Sequence, residues 1–311
     1  MDNPLLIGEL AAFTIAWWLG LYLLGRDRHI PILLYTGLGL IAYALTLGFD
    51  MLRQYASEPD LVQALGRWGW PFLFLPALFW AGTLVYLLPN KSSVRNWLEP
   101  AVKKGLLPLA LLFYIVAAAL KVFEIDPSGD IVRTPSFSLF TFLAPLLLFC
   151  VFLLLIRSTR SRQSRFPWGL IVIATLFFGL GSGLLLIPLE LVPDWFLIIG
   201  IGLDLVLLGI GIALTDAFDK GEALLPDFLR SFAYSLLLVI LFGGQVALAM
   251  ALGIGVTLIM LLLLLAVIMT AIVTQTFADP IQAGLDWLLF ARLPRIRQDR
   301  ADGRIIASSA P

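Results

Sequence analysis

Uninterrupted apolar segments of about 20 residues recur along this chain, and they constrain its fold more than any other feature. Each segment is long enough to cross a hydrocarbon core of about 30 Å as a helix. The composition agrees, because 60% of the 311 residues are hydrophobic and only 14% are charged. Ordinary soluble domains carry about 25% charged residues. The sequence therefore predicts a polytopic membrane protein.

Nine such segments can be counted, and none shows the alternating pattern of a membrane-spanning strand. Backbone polar groups in lipid must be satisfied within their own segment, so we expect an all-α helical bundle in residues 1–276. The predicted spans are 5–24, 31–52, 71–88, 106–122, 139–156, 169–187, 196–214, 232–251 and 254–275. Because only "ALGIGV" joins the last two, they should form a tight helical hairpin.

Lysine and arginine are distributed unevenly between alternate loops. With the N-terminus outside, 17 of the 21 basic residues fall on the cytoplasmic side and four on the opposite side. Cytoplasmic loops carry such an excess in membrane proteins. The pattern predicts nine spans, an external N-terminus and a cytoplasmic C-terminus. The formal net charge of zero gives no indication of a nucleic-acid partner.

The run "IIGIGLDLVLLGIGIALTD" places Asp204 near the middle of the seventh predicted span. An aspartate at the bilayer centre costs about 2.5–3.5 kcal/mol on insertion scales. We therefore expect Asp204 to face the packed interior, protonated and hydrogen-bonded to another helix. The candidate partners are Ser182 and Gln245, while Glu9 is shallower and nearer the outer face. Two roles stay open for Asp204: a neutral polar clasp that fixes helix packing, or a ligand or proton site.

Glycines cluster in the sixth and seventh predicted spans. Gly179 and Gly183 have the small-xxx-small spacing that lets two helix backbones approach closely. Gly200 and Gly211 share the helical stripe of Asp204, so they also indicate close packing. A nucleotide-binding loop is a poor explanation of "GIGLDLVLLGIG", because no strand precedes it.

Residue types suited to catalysis or metal binding are scarce. The single histidine, His29, rules out paired axial histidines for haem, and the single cysteine, Cys150, cannot form an intrachain disulfide. No hydrolase, zinc-protease or P-loop motif is present. We expect neither an enzyme nor a bound metal or cofactor. Helix packing is the preferred interpretation of the deep residues Trp17, Trp18 and Trp80, with stacking on a pigment as the alternative.

The segment "ADPIQAGLDWLLFARLPRIRQDRADGR" predicts a second kind of helix in residues 277–311. Asp279 suits an N-cap, and the proline after it suits the first helical position. Ile281, Leu285 and Leu288 recur at helical spacing, and Arg292 follows them. This pattern is typical of an amphipathic helix lying in the cytoplasmic headgroup layer. We expect the polar end beyond this helix to be disordered.

Three stretches carry a resemblance to a known class of protein. They are "WWLGLYLLGRDRHIPILLYTGLGLIAYAL", "LPALFWAGTLVYLLP" and "FADPIQAGLDWLLFARLPRIRQDR". Together they resemble the multi-span N-terminal sensor regions of bacterial histidine kinases and related regulators. The resemblance implies a location in the bacterial inner membrane and a protein partner in the cytoplasm or membrane. No phospho-accepting histidine, ATP-binding domain or DNA-binding module follows, so we expect a sensor-like module without its own output.

The sequence leaves other functions open. A structural or accessory subunit of a larger, energy-transducing membrane complex would have the same composition. A transporter fits less well, since the chain shows no clear inverted repeat and few intramembrane charges. In every case the lipid bilayer surrounds the bundle, and the sequence does not identify a small ligand.

Overall fold

The computed structural model describes residues 4–27, 29–87, 93–119, 123–125, 131–133, 200, 206–207, 209–212, 224–278 and 281. These residues are almost entirely helical. The helices are α1 (Pro4–Arg26), α2 (Pro31–Gln54), α3 (Pro59–Leu87), α4 (Ser93–Ala119), α5 (Leu224–Leu238), α6 (Gly244–Ala249) and α7 (Leu258–Thr276). Short helical pieces occupy 206–207 and 209–212. The predicted helical character is confirmed for this part of the chain.

Among the described residues, four helices have the length and apolarity needed to cross a membrane. They cover Leu6–Arg26, Pro31–Gln54, Phe228–Leu252 and Leu258–Thr276. These ranges coincide with the first, second, eighth and ninth spans predicted from the sequence. Helices of this composition belong in lipid, because water would meet apolar side chains on every exposed face.

Two helices begin well before the predicted spans. α3 begins at Pro59 rather than at residue 71, and α4 begins at Ser93 rather than at residue 106. Pro59 occupies the first helical position and Asp60 lies in the first turn, where an acidic side chain is favourable. The sequence analysis followed the apolar core of each span, whereas a helix continues through polar residues as long as its backbone bonds are satisfied.

A short pair of strands lies in a segment that the sequence analysis assigned to a loop. β1 (Phe123–Ile125) and β2 (Ile131–Arg133) pair antiparallel, with Glu124 opposite Val132. The residues between them, "DPSGD", are turn formers, and the strands contain the β-branched residues that favour extended backbone. A lone two-stranded hairpin is marginal in water, and β1 lies against α3.

Two contacts set the direction of α2 relative to α1. Gly20 faces Gly37 near one end of the pair, and Glu9 is bonded to Gln54 at the other end. Low numbers in α1 therefore match high numbers in α2, and the two helices run antiparallel.

α7 runs in the same direction as α1. The Trp17 indole N–H donates to the Met269 carbonyl at 3.4 Å, and a Cβ atom placed on Gly25 would lie 3.1 Å from Thr276 Cγ2. Residue numbers therefore increase in the same direction along the two helices, which run parallel.

The core of the molecule lies between α1, α2, α3 and α7. Its most deeply buried large side chains are Phe13, Leu19, Leu23, Leu33, Leu40, Met51 and Leu84. In the most apolar stretches of α1 and α2, 56% of the residues are buried, compared with 17% in Phe228–Leu252 and 33% in α7. Phe228–Leu252 therefore lies on the outside of this core, and we call the hairpin that it forms with α7 the outer hairpin.

The predicted hairpin between the last two spans is confirmed. Helical backbone continues from α5 through the π-helical segment Val239–Gly243, then α6, and ends with a second π-helical segment, Met250–Ile254. Gly255 (φ 73°, ψ 177°) reverses the chain, and Thr257 caps α7 by accepting from the Met260 N–H at 3.4 Å. Gly243 packs on α7, since a Cβ placed on it would lie 3.4 Å from a side-chain carbon of Leu264.

Candidate functional site

Trp18 joins α1 to the outer hairpin. Its ring is 3% exposed and makes edge-to-face contacts with Phe228 and Phe232, with centroids 5.0 and 4.9 Å away. Its indole N–H donates to Ser231 Oγ at 3.4 Å. Such aromatic pairs contribute about 0.5–1.5 kcal/mol beyond the area they bury. Trp18 therefore acts as a packing residue, as the preferred interpretation predicted.

Trp17 and Trp80 are also packed in the interior. Trp17 stacks on Phe13 with centroids 6.3 Å apart, and its N–H reaches α7. Trp80 of α3 is 2% exposed, and its indole N–H is buried without a hydrogen-bond partner among the described residues. Packing is confirmed for all three tryptophans.

A buried pair of threonines links α2 to α3. Thr36 Oγ1 and Thr83 Oγ1 lie 3.2 Å apart, and each hydroxyl is also within hydrogen-bond distance of the carbonyl four residues earlier in its own helix. Because each hydroxyl has one proton, the threonine that donates across the interface gives up the bond to its own helix, while the other can keep that bond and accept. This pair satisfies buried polar groups without introducing charge.

Glu9 lies in the predicted intramembrane polar set and is buried in α1. Gln54, in the last turn of α2, donates its side-chain amide to Glu9 Oε1 at 3.4 Å and to Asp50 Oδ2 at 3.2 Å. Arg53 donates to the other Asp50 oxygen at 3.0 Å. Glu9 Oε2 is buried without a partner in the part of the chain that the structure describes. We call Glu9, Asp50, Arg53 and Gln54 the Glu9 cluster.

The predicted partners of Asp204 are only partly visible. Asp204 and Ser182 lie outside the described residues. Gln245 is exposed on α6, and the hydrogen-bond partner of Glu9 is Gln54, on a helix that the sequence analysis did not connect with it. The Asp204 site stays a prediction.

A second polar cluster lies at the opposite end of α2. The rings of Tyr35 and Tyr86 stack with centroids 5.6 Å apart, and the Arg95 guanidinium lies 5.7 Å from the Tyr86 ring centre. Arg95 also donates to the Tyr86 carbonyl at 3.3 Å and to Glu99 at 3.0 Å. These contacts tie α4 to α3. The sequence did not predict these contacts, because it identified Arg95 only as one of several basic residues in a loop.

The predicted glycine positions have different outcomes. Gly179 and Gly183 lie outside the described residues, and no described atom lies within 4 Å of a Cβ placed on Gly200. Gly211 is buried. Beside it, a Cβ on Gly209 would lie 2.7 Å from Leu19 Cδ2, so this short helical piece touches α1 closely. Gly209 thus packs on α1, while the packing role predicted for Gly211 and the other glycines stays a prediction.

Only the start of the predicted tail helix falls within the described residues. The Ile281 N–H donates to the Phe277 carbonyl at 3.0 Å, which is the spacing of an α-helical bond, and Ile281 is 38% exposed. Leu285, Leu288 and Arg292 lie outside the described residues. The backbone leaving α7 is therefore helical where the amphipathic segment starts.

Metal chemistry finds no support within the described ranges, where no group of three or more His, Cys, Asp or Glu residues comes together. Comparisons with protein-family models, curated proteins and solved structures find no match to this chain.

Proposed function

We propose that this protein is a non-enzymatic sensor module of the bacterial inner membrane, which passes a conformational change to a protein partner. The position of α7 carries the proposal. α7 packs along α1 in the core and ends at Thr276, and one further helical bond, from the Ile281 N–H to the Phe277 carbonyl, follows directly after it. In the proposed mechanism a shift of α1 moves α7 and thereby displaces the segment that leaves it.

The multi-pass topology is part of the proposal. α1 and α7 run in the same direction, so the number of crossings is odd if both helices cross the bilayer. Nine spans satisfy this condition, and so does the alternation of basic residues along the chain. The N-terminus is then external and the C-terminus cytoplasmic. Trp68 and Trp97, which are 72% and 76% exposed, suit the interfacial belts of such a bundle.

The outer hairpin suits contact with lipid. Large apolar side chains are exposed along it, including Leu237, Ile240, Leu252, Ile259 and Leu262. In the proposed arrangement this face meets acyl chains. The tail then lies at the cytoplasmic surface as an amphipathic helix and presents the contact for the partner.

Photo-cross-linking in the living cell tests this function. A photoreactive residue at Leu285 or Leu288 of the full-length protein should capture one defined cytoplasmic or membrane protein. The matched control places the same residue at Leu237, which is exposed on the outer hairpin and should capture lipid only. A truncation after residue 281 should abolish co-purification of the captured protein in mild detergent without lowering the melting temperature of the bundle.

Two results would contradict the sensor proposal. Stoichiometric capture of a larger membrane complex from Leu237, with none from the tail, would indicate an accessory subunit instead. No capture from either tail position, in protein that is folded and abundant, would show that the tail has no partner.

A further inference from the structure

Glu9 stands out among the buried polar residues, because it is a carboxyl group facing an otherwise apolar interior. It lies in the second turn of α1 and is 5% exposed. Its neighbours in the Glu9 cluster reach the surface, since the Asp50 and Arg53 side chains are 26% and 29% exposed and Gln54 is exposed. The carboxyl group is thus buried, but only the Gln54 side chain separates it from water.

The hydrogen bonds that the described residues make to Glu9 satisfy one of its oxygens and leave the other without a donor. A glutamine amide has two N–H bonds, and Gln54 directs one to Glu9 and one to Asp50. Gln54 therefore has no proton left for Glu9 Oε2. The carboxylate that Arg53 contacts at 3.0 Å is that of Asp50.

The charge state of Glu9 follows from comparing two costs. An ionised carboxylate buried without a cation loses the hydration of a full charge. A neutral acid with one unmet hydrogen bond loses the hydration of one polar group, which is the smaller cost. An ionised Glu9 would also place a second negative charge beside the Gln54 amide, which already donates a hydrogen bond to Asp50. The neutral acid fits this site better.

Within the described ranges, few other charges bear on Glu9. α2 contributes Asp50 and Arg53, while α7 contains no ionisable residue. The charged residues of α5 precede Ser231, which contacts Trp18, and Trp18 is about 13 Å further along α1 at 1.5 Å per residue. Among the described residues, those at the α2 end are therefore the ones that influence the protonation of Glu9, together with water that reaches it.

We propose that Glu9 is a proton-binding site that closes the α1–α2 pair at one membrane face. With the proton on Oε2, Gln54 holds Glu9 against α2. When the proton leaves to water, the carboxylate must be hydrated, and hydration requires the ends of α1 and α2 to separate. Because α1 is packed on α7, we expect α7 to transmit this movement of α1 toward the tail. The site would bind its proton whether or not the protein signals.

Infrared spectroscopy of the full-length protein in lipid nanodiscs tests the proton site. Wild type should show the carbonyl band of a buried, protonated carboxylic acid that disappears as the pH is raised. Glu9→Gln should remove this band. Asp50→Asn is the matched control, because it alters the same cluster and should keep the band while moving its midpoint.

A distance measurement tests the opening. Spin labels at Ile7 and Ser57, both exposed at this end of the molecule, are placed on a variant lacking Cys150. The distance should increase as the acid band disappears. Glu9→Gln should abolish the increase, because its uncharged side chain keeps the hydrogen bond to Gln54 at every pH. Glu9→Asp serves if Glu9→Gln does not fold, since a shortened carboxyl should shift the midpoint of both signals.

Three outcomes would overturn the proposal. An acid band that survives Glu9→Gln unchanged would belong to another residue, which Asp204→Asn would identify. Loss of the band on adding Na⁺ at constant pH would assign the site to a metal cation. A spin-label distance that stays constant with pH while the Glu9 band titrates would show that α1 and α2 do not separate.

Discussion

Gly20 and Gly37 face each other where the backbones of α1 and α2 come very close. A Cβ atom on Gly20 would lie 2.9 Å from the Gly37 oxygen, and one on Gly37 would lie 2.8 Å from the Gly20 oxygen. Both contacts are with backbone, which cannot move without shifting a helix. The absence of a side chain at these two positions therefore sets the separation of the two helices.

Gly37→Ala should destabilise the protein by about 1–3 kcal/mol, the usual cost of inserting a methyl group into a packed interior. Thermal unfolding in detergent measures the effect. Gly39→Ala is the matched control two residues away, because its Cβ would lie 3.5 Å from Phe79, an ordinary contact distance. Equal stability of the two variants would contradict the close approach of α1 and α2.

Asp204 offers a second prediction at this scale, based on its place in the sequence. A polar clasp should tolerate Asp204→Asn, because an amide can still make hydrogen bonds across helices. A proton or ligand site should lose its pH response or its binding while the protein stays folded. Capture of the partner in the cross-linking assay, measured together with the melting temperature, distinguishes the two roles. Asp204→Leu with wild-type folding and function would refute both.

The Glu9 cluster shows why residue-level partners could not be predicted. The position of Glu9 in its span indicates its depth, which is shallower than that of Asp204 and its candidate partners Ser182 and Gln245, and depth alone gave Glu9 no partner. Which helix lies beside α1 at that depth depends on packing between distant segments. The structure brings Gln54 there, 45 residues away along the chain. Sequence spacing within one helix carries no information about that neighbour.

At the scale of elements, apolar length was a reliable guide where loops are short. The first two spans and the final hairpin were predicted because apolar residues fill almost the whole of each helix. α3 and α4 were predicted with late starts, because their first turns carry polar residues such as Asp60, Arg95 and Glu99. The π-helical segments in the eighth span were not predicted, since they depend on backbone geometry rather than on hydropathy.

The turn at Gly255 yields a prediction for the hairpin. With φ at 73° and ψ at 177°, Gly255 occupies backbone space that is essentially restricted to glycine. Gly255→Ala should cost about 1–3 kcal/mol through backbone strain. Gly244→Ala is the matched control, because Gly244 is helical and nothing lies within 4 Å of its added Cβ. Melting temperatures should fall for Gly255→Ala and hold or rise for Gly244→Ala.

At the scale of the whole molecule, the first and last described spans behave as one unit. The contacts Trp17–Met269 and Gly25–Thr276 require α1 and α7 to be parallel neighbours, although about 250 residues separate them. No local pattern predicts such a long-range pairing, because contact between the chain ends depends on how every intervening span folds.

A designed disulfide tests this pairing. Gly25→Cys with Thr276→Cys, in a variant lacking Cys150, should form a cross-link in mild oxidant, because a Cβ on Gly25 lies 3.1 Å from Thr276 Cγ2. Such proximity is within the reach of a disulfide. Gly25→Cys with Thr257→Cys is the control, since Thr257 precedes the opposite end of α7. Equal cross-linking of both pairs would show that α1 and α7 are not held in parallel.

The proposed orientation in the membrane combines this parallel arrangement with the distribution of charge. If α1 and α7 both cross the bilayer, Arg26 and Thr276 end on the same side, and that side receives 17 of the 21 basic residues in the nine-span arrangement. The positive-inside rule makes it the cytoplasm. A reporter that is active only in the cytoplasm should give signal when fused after Pro311 and stay silent at the N-terminus. The reverse pattern would invert the bundle and move the Glu9 cluster to the inner face. Signal at both ends would require an even number of spans, which the parallel contacts of α1 and α7 do not allow.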